Sequence, residues 1–180
     1  EEQIIQRIHT FIGTHDVDIE VQNVSAWYVN QAFAKHYSVG RVFCGGDAVH
    51  RHPPSSGLGS NTCIQDAFNL AWKLAFVIKD WAKADLLSSY SDERVPVGQQ
   101  IVARANQSRM DYKHLKDVFG FDQGIATIQQ LLDRLNAPTA EAAELRTQLN
   151  HALDIKNFEF NAQGVELNQR YQSAAVALED

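Results

Sequence analysis

The chain has 180 residues, 44% of them hydrophobic and 21% charged, with a net charge of -6; that suffices for one domain with a sizeable core, or a piece of a larger one, and excludes disorder. A mildly acidic chain with no block of like charge is a poor general binder of nucleic acid or of an anionic membrane, since both need a positive patch. Two cysteines, Cys44 and Cys63, form no disulfide framework, and with no secretory signal and no apolar run long enough to span a bilayer they point to reduced thiols and a cytoplasmic setting.

Ile4, Ile5, Ile8, Phe11 and Ile12 recur at helical spacing over residues 3–14, and Gly13 ends the pattern. Over residues 18–34 the pattern shifts toward alternation through Ile19, Val21, Val24, Trp27, Val29 and Ala32, which predicts one or two strands of a sheet. Residues 39–44 read as a short apolar strand with Cys44 buried, followed by Gly45-Gly46. After Asn61, the positions Ile64, Ala67, Phe68, Ala71, Leu74, Ala75 and Ile78 predict a helix that turns this face inward, with Lys73 and Lys79 complementing the dipole at its C-terminal end. Residues 86–94 suggest a second short helix, and Pro96 suits the first turn of a third, running toward Met110. Residues 122–136 are helical again, with Ile125, Ile128, Leu131, Leu132 and Leu135 on one face. Pro138 breaks that helix, and Thr139 can cap another with Ala142, Leu145, Leu149 and Leu153 inward. The tail after Phe158 reads as irregular. A mixed α/β first third followed by helices is natural for the C-terminal part of an α/β domain.

The chemistry concentrates in residues 40–61. Asp47 follows two glycines at a strand end, which is where open α/β sheets place their ligands. A carboxylate there can accept hydrogen bonds from sugar or polyol hydroxyls. Pro53 and Pro54 stiffen the loop, and Gly57 and Gly59 let backbone approach a flat ligand. A helix starting near Asn61 offers N–H groups and a partial positive charge, suited to negative charge developing on a ligand atom. The plainer reading is a strand–turn–helix with Asp47 as a local cap; the coincidence of acid, prolines, glycines and helix start argues against it.

This segment resembles the second FAD-binding motif of the single-component aromatic hydroxylases, flavin-dependent monooxygenases acting on phenols. The residues that carry the resemblance are Gly40-Arg41-Val42, Gly46-Asp47-Ala48, His50, Pro53-Pro54, Gly57-Leu58-Gly59, Asn61, Asp66-Ala67, Asn69-Leu70 and Lys73. It continues at Tyr90, Glu93-Arg94 and Pro96, and in the tail at Phe160, Gly164, Leu167, Tyr171 and Ser173. The Arg51-His52-Pro53-Pro54 variant most resembles the chlorophenol hydroxylase branch. The resemblance implies an FAD-binding Rossmann-like fold of which this is the C-terminal part. It implies the end of a substrate-binding sheet domain over residues 1–38, the second FAD motif and following helices over 39–110, and a helical segment leading toward a further domain over 111–180. It implies that Asp47 binds the ribityl chain, that backbone from Gly57 through Leu58, Gly59 and Ser60 to Asn61 meets the pyrimidine edge of the ring, and that Pro54 lies beside the flavin carbon that reacts with oxygen, its carbonyl acting in catalysis. The implied reaction hydroxylates a small phenolic substrate with FAD, O2 and NADPH as reductant, with NADH as an open alternative.

The family's Gly-x-Gly-x-x-Gly fingerprint for the ADP half of FAD is absent from these residues. With an opening Glu1-Glu2-Gln3 and Met110 as the sole methionine, this suggests an internal fragment, inactive alone, of a longer enzyme. Two other readings stay open. One is a non-catalytic helical scaffold with a degenerate flavin loop; the other is a zinc site from Cys44, Asp47, His50, His52 and Cys63, whose spacing matches no standard set. His50 reads better as a hydrogen-bonded structural residue than as a general base. Trp27, Tyr28 and Asn30 either face the aromatic substrate or, the reading favoured here, pack within the sheet. The wide apolar stripe over residues 122–152 is an ordinary core face, though faces bared in a fragment leave room for a homo-oligomer.

Overall fold

The computed structural model describes residues 2–120, 127–161 and 169–177. Helix α1 spans Glu2–Ile12 and closes with the Gly13 N–H donating to His9 O at 2.9 Å. No side chain of α1 is fully buried, and Phe11 is exposed.

Residues 18–34 hold less strand than their alternation predicts. Only β1, Ala32–Phe33, forms, pairing antiparallel with β4, His50–Arg51. A strand needs a ladder partner as well as a pattern, and among the described residues only β4 supplies one. Trp27, Tyr28 and Val29 are accordingly exposed. Residues 39–44 differ too. They are a hairpin of β2, Ser38–Val39, and β3, Val42–Phe43, turning at Gly40-Arg41. Cys44 lies beyond β3 and is exposed, not buried.

Helix α2, Leu58–Ile78, begins three residues ahead of its expected start and is turned the other way round. Its buried residues are Leu58, Thr62, Asp66, Asn69 and Lys73, which share one face at helical spacing. Ile64, Phe68 and Ile78 are exposed. Lys73 is not a cation placed for the helix dipole. It is fully buried and paired with Glu93.

A 3-10 turn over Ala84–Leu87 leads into α3, Ser88–Phe119, one helix where the sequence suggests two. Pro96 lies inside it. A proline there removes one backbone hydrogen bond and costs ~3 kcal/mol, but Glu93, Arg94, Val97, Gly98 and Ile101 around it are all buried, and that packing carries the helix through. Helix α4, Ile128–Asn136, starts with a capping box between Thr127 and Gln130; the earlier part of the expected helix, with Ile125, lies outside the described residues. Helix α5, Ala140–Asn157, is capped by Thr139, whose Oγ1 accepts from Ala142 N at 3.2 Å.

Three apolar clusters hold these pieces. Tyr37, Val49 and Tyr90 fix the short strands on α3. Leu58, Val97 and Ile101 join the start of α2 to α3. Val118, Leu145 and Ala152 seat α5 against α3, although Leu153, expected inward, is half exposed. Of the tail, Gly164 and Leu167 lie outside the described residues, and residues 169–177 are irregular as expected.

Candidate functional site

Between β3 and α2 the chain makes a 3-10 turn over Gly46–Ala48, and a buried carboxylate anchors it. Asp66 of α2 accepts from the Gly46 N–H at 3.0 Å and from Nε2 of His50 at 2.9 Å, both on Oδ2. Its Oδ1 accepts from Nε of Arg94 at 2.7 Å. The Tyr90 hydroxyl donates to Cys44 O at 2.9 Å, fixing the residue that leads into the turn. Arg94 continues outward, donating from Nη1 to Tyr171 Oη at 2.9 Å and to Gln169 Oε1 at 3.1 Å. One turn further along α2, Asn69 and Lys73 both donate to Glu93 Oε2 at 2.7 Å, and Ser173 donates to its Oε1 at 2.7 Å. His50 is thus a structural partner of Asp66, as its reading from sequence anticipates.

Burial pushes the Asp66 carboxyl up, but hydrogen bonds from His50, Gly46 and Arg94 outweigh burial and hold it below its ordinary 3.8. Burial likewise acts against Glu93, and Asn69, Lys73 and Ser173 bring it below 4.5. Both groups bind fewer protons folded than unfolded at acid pH. Their stabilisation is full above the unfolded values and is lost as pH falls through the depressed ones. The urea midpoint is therefore expected to be flat from neutrality down to about pH 5 and to fall below it. A midpoint that holds or rises from pH 4.5 to pH 3 would show that these carboxylates contribute nothing.

Held from behind, Asp47 directs an exposed carboxylate into a cavity of about 810 Å³. Pro54, Gly59 and Ser60 line the same cavity, so the fold brings together four of the seven residues expected from sequence. Gly57 is the residue before α2, with φ +62°, and no side chain caps the helix there. A left-handed φ favours glycine, and the uncapped helix end leaves its first N–H groups without a side-chain acceptor. Leu58 is buried against Val97 and Ile101, so only its backbone is available to a ligand. Asn61 turns aside: its amide donates to Gly57 O at 2.9 Å, and it lines a neighbouring cavity of about 370 Å³.

Trp27 and Asn30 line the Asp47 cavity, which corrects the expectation that they pack within a sheet. Arg51, His52 and Cys63 also line it. Burial raises the Cys63 thiol, and the charges of Asp47 and Asp66 raise it further, so it stays protonated. Cys44 and Cys63 are both free thiols. Among the described residues no group of three His, Cys, Asp or Glu is placed to hold a metal ion.

Sequence reasoning missed the network behind the turn. Its members Asp66, Asn69, Lys73, Glu93 and Arg94 stand among the residues that carry the resemblance, but as a stripe with Thr62 at helical spacing along α2 the first three are indistinguishable by pattern from a solvated face.

Comparison with known proteins places this geometry. The model of a family described as an FAD binding domain matches residues 1–105. The phenol 2-monooxygenase of Pseudomonas sp. (strain EST1001) is 46% identical across 98% of this chain, which covers 29% of that protein. The 2,4-dichlorophenol 6-monooxygenase of Cupriavidus pinatubonensis (strain JMP 134 / LMG 1197) is 43% identical across 96% of the chain, again 29% of that protein. Among solved structures, the flavin-dependent monooxygenase PieE in complex with FAD and substrate superposes with a TM-score of 0.86 at 44% identity, over 98% of this chain and 31% of that one. The chain therefore spans about three tenths of the length of these relatives.

Proposed function

The chain belongs to the FAD binding domain family, and from that premise we propose that it supplies part of the cofactor site of an FAD-dependent monooxygenase hydroxylating a small phenolic substrate. The observation that carries the reading is the Asp47 carboxylate, exposed in a ligand-sized cavity on a turn that Asp66 anchors through the Gly46 N–H. The site's chemistry fits FAD: a carboxylate to accept from ribityl hydroxyls, a glycine-bordered backbone for the ring edge, and a helix start free of any side-chain cap. Bound FAD, reduced by NADPH, supplies the oxygen-transferring chemistry.

This chain's residues bind, orient and polarise. Asp47 holds the polyol chain. Backbone N–H groups from Gly57 to Asn61 would face the ring edge of bound FAD, and the positive end of α2 would favour negative charge on it. Pro54, exposed in the same cavity, is the proposed catalytic group, whose carbonyl would lie beside the reacting part of bound FAD. Trp27 and Asn30 line the same cavity and would offer an aromatic and an amide wall to a phenolic substrate. Residues 1–38 belong with the substrate sheet, 39–110 with the flavin motif and 111–180 with a helical extension. Two free thiols support a cytoplasmic setting.

Asp47→Ala in the full-length protein tests this. Loss of a charge-assisted hydrogen bond is worth ~1.5–3 kcal/mol, so the Kd for FAD should rise at least about tenfold with little change in melting temperature, since Asp47 is exposed. Unchanged FAD retention would return the helical scaffold to the front.

A further inference from the structure

The loop that borders the cavity is held in an uncommon conformation by a residue more than one hundred positions away. Ser56 has φ 64° and ψ 7° inside the 3-10 turn Ser55–Gly57. A left-handed non-glycine residue persists only where its surroundings over-determine it. Here they do. The Ser56 N–H donates to Glu159 Oε1 at 3.1 Å, and its hydroxyl meets the Ser108 hydroxyl at 3.2 Å. Glu159 and Ser108 are both buried. The other oxygen of Glu159 accepts from Lys156 Nζ, which also donates to Ser108 O at 2.9 Å. Arg104 of α3 donates to Phe158 O and lies over the Phe158 ring, 3.8 Å from its centroid. Lys156 Nζ sits 3.5 Å from the Tyr112 ring centroid. The end of α5 is thus bolted to α3, and what it presents is one carboxylate oxygen aimed at the backbone of Ser56.

We propose that Glu159 is a positioning residue of the flavin site, a latch that holds Ser56 left-handed and so sets the path of the backbone from Pro54 to Ser60. The inference rests on the flavin reading above and adds to it a role for the helical extension. Ser56 lies between the proposed catalytic Pro54 and Gly57, the residue that opens α2. A shift in its φ would swing the Pro54 carbonyl and the first N–H groups of α2 relative to each other. The latch keeps these two parts of the site in register.

The test uses the full-length protein and three variants: Glu159→Ala, Ser56→Gly and the double. Glycine adopts a left-handed φ without help, so it should make the latch dispensable for the loop but not for α5. The Kd for FAD, followed by flavin fluorescence, should rise about fivefold or more in Glu159→Ala (~1 kcal/mol for one such hydrogen bond) and return most of the way in the double variant. The melting temperature should fall in Glu159→Ala and stay down in the double, because the buried Lys156 ammonium has lost its carboxylate partner in both. In cofactor-free protein, hydrogen exchange over residues 55–58 should be faster in Glu159→Ala than in wild type. If Glu159→Ala does not accumulate folded, Glu159→Asp keeps a charge for Lys156, withdraws the reach to Ser56, and should show the same rescue. An unchanged Kd and unchanged exchange in a wild type that binds FAD would overturn the latch alone, as would a binding defect that Ser56→Gly leaves unrepaired. A wild type that binds no FAD would overturn the flavin reading, and the exchange rates would still decide the latch.

Discussion

Arg94→Ala is expected to lose about 3–5 kcal/mol of stability, the usual cost of leaving one member of a buried ion pair behind. Against a typical total of about 5–15 kcal/mol, that places the variant at or near unfolding at physiological temperature. Arg94 is wholly buried, and so is its partner Asp66. The guanidinium donates in several directions at once: Nε meets Asp66 Oδ1 at 2.7 Å, Nη1 meets Tyr171 Oη at 2.9 Å and Gln169 Oε1 at 3.1 Å, and Nη2 reaches Thr62 O and Gln65 Oε1 at 3.4 Å each. Alanine would leave a buried carboxylate facing only His50 and the Gly46 N–H, beside a void. Arg94→Lys should fare little better, because an ammonium is a point charge and cannot span these directions.

The informative companion is the double replacement Asp66→Leu with Arg94→Met. Exchanging both partners for apolar groups of similar size is often close to neutral, so part of the lost stability should return, less the cost of leaving the buried His50 and Gly46 donors without their acceptor. FAD binding should not, because the Gly46 N–H has lost the acceptor that fixes the Asp47 turn. Urea unfolding and FAD titration on the full-length proteins separate these outcomes. An Arg94→Ala variant that unfolds at the wild-type urea concentration would mean that the pair is not the keystone described here, and a double variant that binds FAD normally would mean that the turn holds itself.

How much of this was legible in the sequence follows from what pattern can encode. The Asp47 turn, the helix after it and the cap at Thr139 are local features, set by residue types a few positions apart, and they were readable; the Thr127 capping box that opens α4 is equally local but went unread. The inside-out face of α2 was not. Periodicity reports that Ile64 and Phe68 share a stripe and that Thr62, Asp66, Asn69 and Lys73 share another; which of them is buried depends on what packs there. The polar stripe went inward because Glu93 and Arg94 of α3 supply the opposite charges, and charge complementarity between two helices is not a periodic signal. Pro96 misled for the same reason, since the packing of its neighbours overrides its local effect. The Ser56–Glu159 contact joins residues 103 positions apart, and no short-range rule reaches so far.

Gly98→Ala is the second variant with a large expected effect, and its sign is opposite to the ordinary one. Alanine in place of a helical glycine normally stabilises by about 0.5–1 kcal/mol. Gly98 lies within α3, but a Cβ added there would come 1.9 Å from Tyr37 Oη, 3.2 Å from its Cζ and 3.4 Å from His50 Cδ2. The ring cannot simply retreat. Tyr37 is 1% exposed, its N–H donates to Ser91 Oγ at 2.9 Å, and its carbonyl accepts from Cys44 N at 2.8 Å. Overpacking of this kind costs about 1–3 kcal/mol or more, so the variant should be destabilised despite its better helix propensity. The strain would pass to the Asp47 turn, since the Tyr37 ring packs at a tilt against Tyr90 and Tyr90 holds Cys44 O. The Tyr37 hydroxyl finds no hydrogen-bond partner among the described residues, and burial drives its pKa far up, so it remains a neutral group. Tyr37→Phe alone should therefore be neutral or slightly stabilising. In the double variant the closest obstacle recedes to the ring carbon, and most of the loss should be recovered. Urea midpoints for wild type, both singles and the double give the coupling directly, and about 2 kcal/mol is expected between residues in such contact. Additive effects of the two substitutions would show that the helix moves aside instead, and that the approach of α3 to Tyr37 is not what positions the strand leading to Asp47.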